Sequence, residues 1–185
     1  MMLPKHIRHR ISLLRILERY LWHTGLTGST VVFIFLVVKF FVLDVGQVNG
    51  RSMETTFIDN ETFITNKVLY LFHPPARYEV VQVVEPSQEK LLIKRVIALP
   101  GEEVIIRRGK VFVRQRNTPE ERELAEPYLK KGTYTTLRGQ KDAVHFTVGP
   151  DEYFILGDNR PYSIDSRVYG AVPRYRIVGK VIGTL

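Results

Sequence analysis

The sequence predicts an all-β body of antiparallel sheets attached to one N-terminal membrane-spanning helix. Two observations carry this expectation. Residues 31–38 read VVFIFLVV without a polar atom, and residues 46–185 break into short β-type segments separated by turn residues. A third narrows it: strands do not alternate with helical patterns, so a doubly wound parallel sheet is excluded. The 185 residues are 44% hydrophobic and 25% charged, the composition of a folded chain rather than a disordered one.

The first element is a basic arm over residues 1–24, with Lys5, Arg8, Arg10, Arg15 and Arg19 set against Glu18. Ile11, Leu14, Leu17 and Leu21 recur at helical spacing, which suits an amphipathic helix at a membrane surface. Residues 25–45 form the anchor, a helix of roughly 30 Å from Leu26 to Val45, long enough to cross a bilayer. Lys39 and Asp44 lie near its far end, where a long side chain can reach the headgroups. A cleavable signal sequence fits less well, because no small-x-small site follows the apolar run. A buried soluble helix fits poorly too, since residues 31–43 offer no polar face. The arm's charge places the N-terminus in the cytoplasm and residues 46–185 outside, in a single pass.

Strands are expected at Phe63–Tyr70, Tyr78–Val84, Lys90–Leu99, Val104–Arg107, Lys110–Arg114, Ala143–Val148, Tyr153–Leu156 and Tyr175–Ile182. Arg108-Gly109 marks a hairpin. Residues 115–140 are polar and without period, which suggests a satellite lobe across about residues 103–142, inserted into the body.

Composition removes several chemistries. Without cysteine there is no disulfide scaffold, thiolate zinc site, iron–sulfur cluster or cysteine nucleophile. A net charge of +8 is too modest for a dedicated polyanion binder, so no nucleic-acid partner is expected. Nucleotide-binding glycine loops are missing, and His73 and His145 lack metal-ligand spacing, so neither cofactor nor metal is expected.

Three constellations remain. Asn49-Gly50 allows a sharp turn just before Ser52, and such a turn can aim backbone N–H groups at a developing oxyanion. Taken alone, Ser52 reads as an exposed loop serine. In the strand Lys90–Leu99, period two puts Lys94 on one face with Leu92, Val96 and Ala98. Burial there would lower its pKa and make it a general base. Taken alone, it reads rather as a lysine that snorkels from an edge strand or pairs with an acid. The third is GDNRPYSIDSRVYG at Gly157–Gly170, dense in Asp, Arg and Ser and framed by apolar strands that would hold it rigidly. The residues leave a Ser-His-Asp triad open, although His145 reads as an ordinary strand histidine.

Together these segments resemble bacterial type I signal peptidases. That family's pattern has an anchor, then G-x-S-M-x-P-T, then K-R-V-x-x-x-P-G-E, then G-D-N-R-x-x-S-x-D-S-R. Here the matches are Gly50–Thr56, Lys94–Glu102 and Gly157–Arg167, in order, and Glu126-Pro127-Tyr128-Leu129 also resembles a family feature. The resemblance implies an all-β peptidase fold and a membrane-bound serine endopeptidase that removes signal peptides through a Ser-Lys dyad. It implies Ser52 as nucleophile, Lys94 as base, Ser163 orienting Lys94, and Gly50 at the oxyanion turn without a second hydroxyl donor. Met53 would line the substrate groove, while Arg95 with Asp158, and Asp165 with Arg167, would form structural ion pairs. Implied partners are exported preproteins, the lipid bilayer and the secretion translocon, at the bacterial plasma membrane with the catalytic domain extracytoplasmic. Three departures stand out: Thr55 replaces the family's proline, Phe57 its usual aliphatic residue, and Tyr78-Glu79 its common Gly-Asp. A non-cleaving accessory of this fold would be expected to lose Ser or Lys, and this chain keeps both.

Overall fold

The computed structural model describes residues 5–137 and 143–185, with side chains from Leu17 onward, Phe40 excepted. The chain forms two compact units, Met1–Val42 and Leu43–Leu185. The ends of the expected arm and of the expected satellite lobe, residues 1–4 and 138–142, lie outside the described residues. So do the side chains of Ile11 and Leu14.

The first unit is one helix, α1 (Lys5–Val37), closed by a single π-helical turn at Val38–Val42. Within it, the 21 residues Leu17–Val37 are long and apolar enough to span a bilayer. Trp22, Leu26, Val31, Phe33, Ile34 and Phe35 are all exposed. An apolar surface of that extent has to be covered, and lipid tails would do it. The helix ends sooner than the expected Val45, because Leu43–Gln47 is a strand. That strand, β1, pairs in antiparallel register with β2 (Thr62–Asn66), Leu43 opposite Asn66 and Gln47 opposite Thr62. Gly46 permits the pairing, since a β-carbon there would come within 2.5 Å of the Phe63 ring.

Seven strands make the larger sheet of the second unit. In addition to β1 and β2 these are β3 (Val80–Val84), β4 (Leu91–Ala98), β9 (Glu152–Leu156), β10 (Val172–Pro173) and β11 (Ile177–Thr184), in the order β1-β2-β11-β3-β4-β9-β10. A second sheet of four strands, β5 (Glu102–Arg107), β6 (Lys110–Gln115), β7 (Arg122–Glu123) and β8 (Val144–Thr147), is ordered β7-β6-β5-β8. Every pairing among the described residues is antiparallel. Arg108 and Gly109 take φ of 52° and 80°, the left-handed pair that a two-residue β5–β6 hairpin requires.

The expected strand to Tyr70 stops at Asn66 and gives way to α2 (Leu69–Phe72). The cause is local: Asn66 Oδ1 accepts the backbone N–H of Val68 at 3.0 Å and of Leu69 at 2.9 Å, which opens a helical turn. A last short helix, α3 (Ser166–Tyr169), follows Asp165, whose side chain accepts the Arg167 N–H as an N-cap. One core cluster joins the two sheets through Ile97 and Ala98 of β4, Phe154 and Leu156 of β9, and Val104, Ile106, Val111 and Val113 of the hairpin. Another lies beneath the Ser52 turn: Val48, Met53, Phe57, Phe63, Val80, Ile93 and Val181.

Candidate active site

Strand β4 is interior to its sheet, between β3 and β9, so Lys94 is not an edge residue. Its register sets it opposite Val81, and it is only 1% exposed. Its Nζ donates to Ser52 Oγ at 2.7 Å and to the Ile93 carbonyl at 3.1 Å. No carboxylate bonds to it among the described contacts. Burial therefore dominates and lowers the Lys94 pKa to about 8, while the more distant Asp165, Glu85 and Asp158 pull weakly the other way.

Ser52 is half-buried at the start of a tight turn in which Phe57 N–H and Thr56 N–H both donate to the Met53 carbonyl at 2.8 Å. Gly50, at φ 100°, makes the entry to that turn, and its N–H donates to Asp59 Oδ1 at 2.7 Å. The turn is bolted to the segment after β9. Asn159 N–H donates to the Ser52 carbonyl at 2.9 Å, Asn159 Nδ2 to the Arg51 carbonyl at 2.8 Å, and Asp158 N–H approaches Met53 Sδ at 3.4 Å. Gly157 has no room for a side chain: a β-carbon would lie 2.2 Å from Ser163 Oγ and 2.5 Å from the Ser52 carbonyl oxygen. Ser52 thus meets Lys94, 42 positions further along the chain, under a backbone pinned by Gly157 and Asn159.

Both expected ion pairs are present in the geometry. Arg95 donates from Nε to Asp158 Oδ1 at 2.8 Å and from a terminal nitrogen to Oδ2 at 2.5 Å. Arg167 donates to Asp165 through Nε and a terminal nitrogen, each at 2.8 Å. Asp165 also accepts the Gly157 N–H at 3.0 Å, so this pair sets the backbone beside Ser52.

Two expectations need correction. No hydrogen bond joins Ser163 to Lys94; Ser163 Oγ is buried without a partner among the described residues. Its backbone is fixed by the turn Arg160–Tyr162 and by Arg167, which donates to the Ser163 carbonyl at 3.3 Å, so the hydroxyl rests over Gly157 instead. Met53 does not line an open groove. It is fully buried in the cluster beneath the turn and supports Ser52 from below.

Sequence reasoning missed several supports. Thr56 Oγ1 donates to Asp158 and accepts from Arg95 at 3.1 Å, tying the turn to the first ion pair. The Arg95 guanidinium also lies 4.1 Å from the centroid of the Tyr128 ring. Arg160, 1% exposed, donates to Glu126, Thr135 and the Gly157 carbonyl. Glu126-Pro127-Tyr128 had been visible as a motif, but nothing in it announced two buried arginines as its targets. His145 is exposed on β8. Among the described residues, no group of three or more His, Asp or Glu side chains is placed to hold a metal.

The site thus sets a serine hydroxyl within hydrogen-bond reach of a buried amine of lowered pKa, on an antiparallel β body, an arrangement suited to a serine hydrolase. Residues 21–185 match the family model "Signal peptidase, peptidase S26". Signal peptidase I V of Bacillus subtilis is 34% identical over 164 residues, 84% of this chain and 94% of that protein. Probable signal peptidase I-2 of Synechocystis is 32% identical over 163 residues, 84% of this chain and 69% of that one. A crystal structure of a signal peptidase I from Enterococcus faecalis aligns with 27% identity and a TM-score of 0.48, over 60% of this chain and 98% of that one. The chain belongs to the signal peptidase family, peptidase S26, and is a serine protease.

Proposed function

We propose that this chain removes N-terminal signal peptides from exported preproteins, with Ser52 as nucleophile and Lys94 as general base. The observation that carries the reading is the 2.7 Å contact between Ser52 Oγ and a lysine sealed from water. Neutral Lys94 takes the Ser52 proton as Oγ attacks the scissile carbonyl. The resulting ammonium protonates the leaving amine, and the amine it regenerates activates the water that releases the acyl group. One residue can serve all three steps because burial holds its pKa at about 8, close to working pH. The Ser52 N–H, presented by the turn that Gly50 opens, would bind the oxyanion.

The substrate would bind extended, so that residues −1 and −3 point the same way and both must be small. Residues Leu17–Val37 would anchor the enzyme in a bacterial plasma membrane, N-terminus inside and residues 46–185 outside, beside the translocon that delivers preproteins. The test is cleavage of a preprotein with an Ala-x-Ala site by the full chain in detergent. Wild type should cut after the −1 alanine and Ser52→Ala should not. Cleavage by Ser52→Ala, or equal cleavage with Phe at −1, would overturn the reading.

A further inference from the structure

The stretch between β7 and β8 has no obvious part in the chemistry, yet it supplies the side-chain partners of Arg160, one of the most deeply buried charges beside it. Arg160 has no exposed side-chain surface, and its ion-pair partner Glu126 is only 10% exposed. Glu126 takes both terminal nitrogens of Arg160, one of them at 3.2 Å, and Thr135 Oγ1 accepts a further bond. The remaining nitrogen, Nε, donates to the Gly157 carbonyl at 3.1 Å. Gly157 in turn lies so close to Ser52 and Ser163 that a β-carbon there would meet the Ser52 carbonyl oxygen and Ser163 Oγ, and its successors hold the Ser52 turn through Asn159 and Asp158. Two residues on from Glu126, the Tyr128 ring faces Arg95, and its phenol donates to Glu126 Oε1 at 2.8 Å. Tyr78 supports that ring at a centroid distance of 6.1 Å and does so from φ 72°, a left-handed backbone that a bulky residue rarely adopts. A segment that merely linked β7 to β8 would have no need to engage Arg160 and Arg95, two of the arginines that fix the backbone beside the nucleophile.

We propose that Glu126 and Tyr128 are positioning residues for the cleavage reaction, acting through Arg160 and Arg95 to hold Gly157–Asn159 against the Ser52 turn. Glu126 fixes Arg160, Arg160 fixes the Gly157 carbonyl, and Gly157 sets where the Ser52 hydroxyl meets its base and where the Ser52 N–H points. Neither residue touches substrate. This rests on Ser52 being the nucleophile, so the experiment includes Ser52→Ala beside wild type.

Steady-state cleavage of a peptide with an Ala-x-Ala site would be measured for full-length Glu126→Gln, Tyr128→Leu, Thr135→Val and Lys110→Ala, with thermal midpoints. Glu126→Gln keeps the volume and removes the charge. Its kcat should fall between about tenfold and about a hundredfold with KM within twofold, the signature of a displaced reacting group. Tyr128→Leu should lower kcat less, and Thr135→Val, which removes one acceptor of Arg160 and little packing, should lower it severalfold. Lys110→Ala, which breaks only the exposed pair with Glu123 in the same sheet, should match wild type. If Glu126→Gln does not fold, Thr135→Val decides, and kcat equal to wild type overturns the proposal. A lowered thermal midpoint with kcat intact, or a raised KM with kcat intact, overturns it as well. Inactive wild type or active Ser52→Ala would instead sink the functional reading itself.

Discussion

Lys94 and Arg95 are neighbours on one strand, both nearly sealed from water, yet their surroundings are electrically opposite. Arg95 faces Asp158 with two charge-assisted bonds, the Tyr78 carbonyl at 2.8 Å, Thr56, and the Tyr128 ring. Lys94 faces a serine hydroxyl and the Ile93 carbonyl. Burial costs both residues their hydration, but only Arg95 recovers it from a carboxylate in contact. The difference teaches that a buried cation becomes a structural strut or a base according to what touches it. A guanidinium stays charged and holds parts together, while an ammonium left without a counter-charge becomes willing to lose its proton.

The comparison breaks most visibly if the two roles are exchanged. Lys94→Arg keeps the charge but cannot deprotonate, so cleavage should fall at least about a thousandfold, as it should in Ser52→Ala. Lys94→Met should be equally inactive, yet more stable than wild type at neutral pH. The sign follows from linkage. The native Lys94 pKa of about 8 lies below the unfolded value of 10.5, so between those values the unfolded chain binds more protons. Stability therefore rises with pH from about 8 to 10.5, and below pH 8 the folded state carries the full cost of burying the ammonium, about 3 kcal/mol. The thermal midpoint of Lys94→Met should exceed wild type at pH 7, and the gap should close towards pH 10.5.

Next in size is the strut. Asp158→Asn leaves the Arg95 charge buried without its partner and should destabilise the body by about 3–5 kcal/mol, seen as a fall in thermal midpoint. Smallest is Thr55, which replaces the family's proline and whose Oγ1 is buried without a hydrogen-bond partner among the described residues. Thr55→Val removes that hydroxyl at nearly constant shape. It should stabilise the chain by about 1 kcal/mol and leave kcat within about twofold.

Much of this contrast was legible before the structure. Period two alone separates the faces of Lys94 and Arg95, and the β class follows from turn spacing. The anchor follows from the apolar run, although its end at Val37 does not, because the pairing of Leu43 with Asn66 is a tertiary preference that outweighs helical continuation. Asn66 hid the α2 turn for a similar reason: an Asx side chain competes with a strand only once its neighbours are placed. The Glu126–Arg160 contact spans 34 residues, from the loop after β7 to the turn after β9, and neither residue type signals its partner in sequence. Ser163 shows the limit of transferring a role residue by residue. Its place in the motif matched, while its hydroxyl lies over Gly157 rather than on Lys94.

The central claim is that Lys94 loses its proton near working pH because nothing anionic touches it. It is tested most directly by following Lys94 in the full chain with selectively labelled lysine and NMR across pH 6–11, assigning its signal by its loss in Lys94→Met. The account predicts one lysine with a midpoint near 8, matched by a rising limb of kcat/KM with the same midpoint. A Lys94 midpoint of 10 or above, or activity flat across that range, would contradict it.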